Sequence, residues 1–271
     1  MNRVLRTGCR GPDVKKWQYF LIGQSSLPGN ADGVFGDLTF NATVAFQQKY
    51  NLEADGVVGH QTLVTAIQLG FVVLDDTTGT NENGPNWPSK PGFRPITSNV
   101  QRQRLFGEFS YRHDPQPGNY EQIHITGSWI AENIVTAAIP QLAGIQGAHE
   151  NGNIKVHKLV ASQFKALWQA WQDKNLLGRI LTFDGSFAPR FVRGSTRTLS
   201  NHAFGTAFDI NVAWNRINTQ PALVGARGCV RELVTIANDH GFYWGGHYGK
   251  RLDGMHFEVV VVKSLSIALT V

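Results

Sequence analysis

The chain has 271 residues, enough for two domains that each bury a core. Its formal net charge of +5 favours anionic partners, yet no Lys/Arg run marks a nucleic-acid-binding arm. No stretch approaches the ~18 apolar residues that a membrane span needs.

Met1 to Gly8 lacks the apolar segment of a signal peptide, so the chain is expected to be made in the cytoplasm without a leader. Gly11-Pro12-Asp13 followed by Val14, Trp17 and Leu21 predicts a helix with proline at its first turn and one apolar stripe. Asp32-Gly33-Val34-Phe35-Gly36-Asp37-Leu38-Thr39 then recurs as Asp55-Gly56-Val57-Val58-Gly59-His60-Gln61-Thr62. Each copy reads as a glycine turn feeding a helix, with Ala42, Ala45 and Phe46 spaced helically after the first and Leu63, Ala66 and Ile67 after the second. A single Asp-Gly is only a turn; two matched copies are a repeat. With Phe46-Gln47-Gln48, residues 1–72 resemble the small peptidoglycan-binding domain found beside many wall hydrolases. The resemblance implies a small all-α three-helix wall-binding domain.

Residues 73–95 read as a linker, with four prolines among Thr, Gly, Asn and Ser and with Trp87 as its one large anchor. A second domain is expected over 96–271. Ile123 and Ile125 alternate as in a strand, and Ile134, Val135 and Ile139 less cleanly. Val160, Phe164, Leu167, Trp168 and Trp171 predict an amphipathic helix over 156–171. A short strand over 180–183, a helix from Arg231 to Asn238 ending near Gly241, and closing strands at 242–244 and 256–262 follow. Short strands mixed with helices, without a βαβ rhythm, indicate an α+β domain with an antiparallel sheet. Cys9 and Cys229 fall in different domains and are expected as free thiols.

The segment from Ser200 to Asn211 carries the chemistry. Phe208, Ile210 and Val212 alternate with Asp209 and Asn211, so Asp209 projects from the polar face of a strand, and Gly205 permits a turn that brings His202 toward it. Imidazole nitrogen and carboxylate oxygen are zinc donors, and a catalytic zinc takes three protein ligands plus water. Asp253-Gly254-Met255-His256-Phe257-Glu258 offers the third, with His247 in reserve. Ser200, His202, Gly205, Ala207 and Asp209, followed by Asp253 three before His256, resemble the zinc D,D-carboxypeptidase and L-alanyl-D-glutamate peptidase family. The resemblance covers roughly the last 150 residues and implies one zinc per chain on His202, Asp209 and His256. The other histidines, His60, His113, His124, His149, His157 and His240, lack a partner at ligand spacing and read as capping, core-edge or surface residues.

A zinc peptidase also needs a base for the water proton. Asp253 reaches the metal only if Gly254 turns the chain, and Glu258, on the strand face of His256, competes for the role or holds the ligand from behind. The resemblance assigns the base to Asp253. It also places an arginine upstream of the motif, matched by Arg190 in Phe187-Ala188-Pro189-Arg190, to hold substrate carbonyl or carboxylate. Ser200 orients substrate or ligand, or is a turn serine; Trp244, before Gly245 and Gly246, is expected to line the cleft.

The function implied is zinc-dependent cleavage of the peptidoglycan stem peptide. The Asp before the final His favours the L-Ala–D-Glu bond, with D,D-cleavage as the alternative. A monomer acting on the wall after holin-type or other release is expected, with no nucleic-acid partner and no membrane insertion. A non-catalytic wall-binding protein with structural zinc is the rival from another class.

Overall fold

The computed structural model describes residues 3–24, 26–27, 31–69, 71, 88–223, 226–249 and 251–263. Two separate apolar cores lie in these residues, one drawn from Leu5 to Phe71 and the other from Ile96 to Val259.

The first core is held by α1 (Pro12–Gly23), α2 (Asp37–Lys49) and α3 (His60–Gln68). Pro12 occupies the first turn of α1, where its missing N–H is no loss, and Val14, Trp17 and Leu21 are buried as their spacing predicts. On α2 the buried face is Thr39, Ala42, Thr43, Phe46 and Gln47; Ala45 is exposed, as is Ile67 on α3. Two buried glutamines explain the repeat. Gln18 Nε2 donates to Asp32 Oδ1 (2.8 Å), Val34 O (3.0 Å) and Thr39 Oγ1 (2.9 Å), while its Oε1 accepts from Gly33 N (2.7 Å). Gln47 repeats the set on Asp55 (2.8 Å), Val57 O (3.0 Å), Thr62 (3.0 Å) and Gly56 N (2.8 Å). Each glutamine amide thus satisfies a turn that no secondary structure would otherwise close.

Of the expected linker, residues 73–87, with Trp87, lie outside the described residues. Residues 88–95 lie against the second domain: His247 Nε2 donates to Pro88 O at 2.7 Å, and the Phe93 and Tyr243 rings are 6.3 Å apart.

The second domain combines helices with antiparallel sheets. Strands β1 (Ser110–His113) and β2 (Ile123–Thr126) pair antiparallel, as do β3 (Ile134–Ala138) and β4 (Asn153–His157). A four-stranded sheet holds β5 (Phe183–Gly185), β6 (Ala207–Ile210), β7 (Phe242–Trp244) and β8 (His256–Val259) in the order β5-β6-β8-β7, all antiparallel. Helix α4 (Asn99–Phe106) precedes β1, α5 (Trp129–Asn133) follows β2, α6 (Ala161–Asp173) follows β4, and α7 (Arg231–Asp239) precedes β7.

Helix α6 covers one face of the large sheet. Its Phe164, Trp168 and Trp171 rings lie 5.6, 5.8 and 6.0 Å from Phe208, which stacks on Phe257 at 5.3 Å. This aromatic layer fixes which side of β6 and β8 is core, so Asp209 and His256 must face the other way. Truncating Phe208 to Ala costs roughly 3–5 kcal/mol.

Several element boundaries differ from expectation: β5 covers Phe183–Gly185 in place of 180–183, and β8 ends at Val259 in place of 262. Helix α6 begins at Ala161, because Val156 is claimed by β4. Strand β6 ends at Ile210, because Asn211 takes φ 55° and turns its amide inward. That amide accepts from Leu181 N and Thr182 N and donates to Arg179 O and Gly228 O. Val212 is therefore off the strand.

Candidate metal centre

The sheet register sets Asp209 directly opposite His256, while the adjacent pair Phe208 and Phe257 points into the core. His202 arrives on a short 3-10 turn, Asn201–Phe204, whose Ser200 Oγ accepts from His202 N at 3.3 Å. Ser200 is thus a turn cap on the pocket wall. Gly205 ends the turn at φ +67°, and a Cβ there would stand 2.8 Å from His157 N. Both the left-handed backbone and the close approach call for glycine.

The three side chains converge. Asp209 Oδ1 lies 2.9 Å from His256 Nδ1 and 3.2 Å from His202 Nε2, and those two nitrogens are 3.1 Å apart. The ligand edge of a tetrahedral zinc with ~2.0–2.1 Å bonds is about 3.3 Å. The tautomers agree with a metal. His202 Nδ1 is 2.7 Å from Ser186 O, a carbonyl that can only accept, so the proton sits on Nδ1 and the Nε2 lone pair faces the centre. His256 turns its Nε2 toward Glu258 Oε2 at 3.6 Å and its Nδ1 inward. Three electron-rich atoms thus face one point. Burial pushes Asp209 up, but His202 and His256 outweigh it and hold the carboxyl far below its usual range. Burial disfavours a charged His256, yet its hydrogen bond to Asp209 and the nearby Glu258 and Asp253 carboxylates pull its proton affinity up. The centre calls for positive charge, and this donor set fits zinc.

Among the described residues this trio is the one group placed to hold a metal ion. His247, the reserve ligand, is buried elsewhere with Pro88 O as its partner.

Asp253 stands beside the centre through a turn in which His256 N donates to Asp253 O at 3.1 Å. Gly254 makes that turn as expected, for a reason of space: a Cβ would meet Pro221 Cγ at 2.6 Å. Asp253 Oδ1 is buried without a hydrogen-bond partner. Burial lifts this carboxyl above its ordinary range, His256 opposes that, and Asp209 reinforces it. Glu258 is 1% exposed behind His256. Arg190 is half-buried, acts on Asp209 and Asp253 through its charge, and donates from Nη1 to Phe191 O.

Trp244 corrects an expectation. It is fully buried and does not line the pocket; its Nε1 donates to Gly254 O at 2.7 Å and so holds the Asp253 turn. The close backbone approach at Gly245 serves the turn, where a Cβ would meet Asp253 O at 2.5 Å. Arg102 and Asn201 carry no local sequence signal, since the two lie 99 positions apart.

A cavity of about 950 Å³ opens at Asp209 and His256, lined also by Arg102, Arg190, Asp253 and Glu258 among others. A His–Asp–His cluster that could hold a metal ion, with Asp253 Oδ1 unbonded on the wall of the adjoining cavity, suits a metal-dependent hydrolase. Known proteins narrow the class. Residues 193–259 match the family described as "D-alanyl-D-alanine carboxypeptidase", and residues 10–65 match "Putative peptidoglycan binding domain". The chain is 36% identical over 84 residues to a "Spore cortex-lytic enzyme" of Bacillus cereus, covering 30% of this chain and 32% of that one. It is 43% identical over 61 residues to a "Probable N-acetylmuramoyl-L-alanine amidase" of Bacillus licheniformis, covering 22% and 17%. Among solved structures, the SleB N-terminal domain is 35% identical, covering 26% of this chain and 94% of that one, with a TM-score of 0.25. The chain spans about a third or less of the length of these curated relatives. Residues 10–65 are thus similar to a peptidoglycan-binding domain and residues 193–259 to a D-alanyl-D-alanine carboxypeptidase domain, carried on one chain.

Proposed function

We propose that this protein is a zinc-dependent peptidoglycan hydrolase that cuts the stem peptide between L-Ala and D-Glu. The observation that carries the reading is the convergence of His202, Asp209 and His256 within hydrogen-bond distance of one another, with the Asp253 carboxylate alongside. Zinc on such donors supplies polarisation of an amide carbonyl and acidifies a water toward pKa ~7. Asp253 takes the water proton and returns it to the leaving amine, for which its lifted affinity for protons suits it. Arg190 holds a substrate carbonyl or carboxylate at the cavity wall. Glu258 and Ser186 O fix the rings of His256 and His202. The N-terminal domain tethers the enzyme to its polymeric substrate and raises its local concentration.

The bond choice rests on Asp, in place of Glu, three before the final His. D,D-cleavage is the second reading, favoured by the description of the matched family. Digestion of purified sacculi, with and without chelator, followed by end-group labelling, separates them. New amino-terminal Glu is the expected result; free D-Ala, or a new amino terminus on the cross-linking diamino acid, would replace this reading with the second.

A further inference from the structure

Arg102, on α4 at the start of the second domain, is 3% exposed and reaches the floor of the cavity. Its Nε donates to Asn201 Oδ1 at 2.5 Å and its Nη2 to Ile96 O at 2.6 Å. Its Nη1 is buried with no hydrogen-bond partner. Glu258 on the same cavity wall is also buried and makes no hydrogen bond, its Oε2 standing 3.6 Å from His256 Nε2. A guanidinium or a carboxylate taken out of water alone is strongly unfavourable, whereas opposite charges facing one small volume offset each other's burial. Burial is the largest influence on Arg102, and the charge of Glu258 is the largest opposing it.

Asn201 directly precedes His202, and Glu258 stands behind His256. We infer that Arg102 is a positioning residue for the metal centre: it clamps the His202 turn through Asn201 and backs His256 through the Glu258 carboxylate. One side chain from a distant helix thereby holds the His202 turn by direct contact and acts on the Glu258 side of His256 through its charge. A planar fork of N–H groups suits this task, since it can hold Asn201 and Ile96 while still presenting charge to Glu258. The inference rests on the reading of His202, Asp209 and His256 as a zinc site.

The test uses the full chain with zinc, competed against a chromophoric chelator, and with Co²⁺ as a spectroscopic substitute. Arg102→Met should weaken zinc affinity about 10- to 100-fold, the range typical for groups that orient metal ligands. It should also change the Co²⁺ visible spectrum. Arg102→Lys, which keeps the charge and most of the volume, should recover part of the affinity and serves if the Met variant fails to fold. Arg102→Met combined with Glu258→Gln should lose less affinity than the two single losses multiplied, because each single change strands the other's charge. Zinc affinity within twofold of the unsubstituted chain and an unchanged Co²⁺ spectrum in both Arg102 variants would overturn the inference, leaving Arg102 a packing residue. Failure of the unsubstituted chain to bind zinc would instead remove the metal-centre reading, and this inference with it.

Discussion

Asp209 on β6 and His256 on β8 face each other across one rung of the sheet, Oδ1 to Nδ1 at 2.9 Å, while their neighbours Phe208 and Phe257 stack in the core behind them. Asp209 and His256 are therefore both placed by the sheet itself. Only His202 comes from outside it, and its turn is closed by Gly205, Ser200 and Asn201.

The general base is the first point of test. Asp253 is not among the three donors, so Asp253→Asn should retain zinc yet lose about 10²–10⁴-fold in turnover. Glu258→Gln should act mainly on metal affinity. Steady-state kinetics beside zinc titration decide; near-normal turnover in Asp253→Asn with a crippled Glu258→Gln would exchange the roles.

Acid should weaken the fold in part through His247. Burial pulls its ring down to about 4, against hydrogen bonding to Pro88 O. The unfolded chain takes a proton near the ordinary histidine pKa of ~6.5, but the folded ring resists until about 4. Its contribution is present above pH ~6.5 and is lost as pH falls from there toward 4, at up to ~1.4 kcal/mol per pH unit. His157, also lowered by burial, shifts in the same direction. Denaturant unfolding at several pH values should give a steeper acid loss for the unsubstituted chain than for His247→Gln. Parallel profiles would contradict this.

The glutamine-closed turns predict where the N-terminal domain is weakest. Gln47→Ala leaves the buried Gly56 N without its acceptor and takes one partner each from Thr62 and Asp55. It should cost about 1–3 kcal/mol, measured as a lower melting midpoint for residues 1–72. Gln18→Ala should cost a similar amount by the equivalent loss; a neutral result at both positions would refute the shared role.

Tethering makes a separate claim. Residues 1–72 should bind purified sacculi alone, and residues 96–271 should cleave a soluble muropeptide yet work poorly on intact wall. Equal rates on sacculi for the full and shortened chains would remove the targeting role.

Much of this was legible in the sequence because the constraints are local. The alternation of Phe208 with Asp209 fixes which side faces the core, and Asp253-Gly254-Met255-His256 states its own turn. Residues whose partners are distant in sequence were not legible. Asn211 looks like a strand residue until its amide is seen closing four backbone bonds from other segments. Val156 shares the apolar spacing of α6 but pairs in β4 with Val135. Trp244 beside two glycines looks like a cleft wall, yet its indole N–H props the Asp253 turn from within the core. Arg102 carries no motif; its partners Asn201 and Glu258 lie about 99 and 156 positions away along the chain.

The central claim, that His202, Asp209 and His256 together bind one zinc, is tested most directly by metal analysis of the purified chain beside its three single alanine variants. The account predicts one zinc per chain in the unsubstituted protein. In His202→Ala, Asp209→Ala and His256→Ala it predicts loss of both zinc and activity, with the N-terminal domain still folded. Full zinc occupancy in all three variants would contradict it.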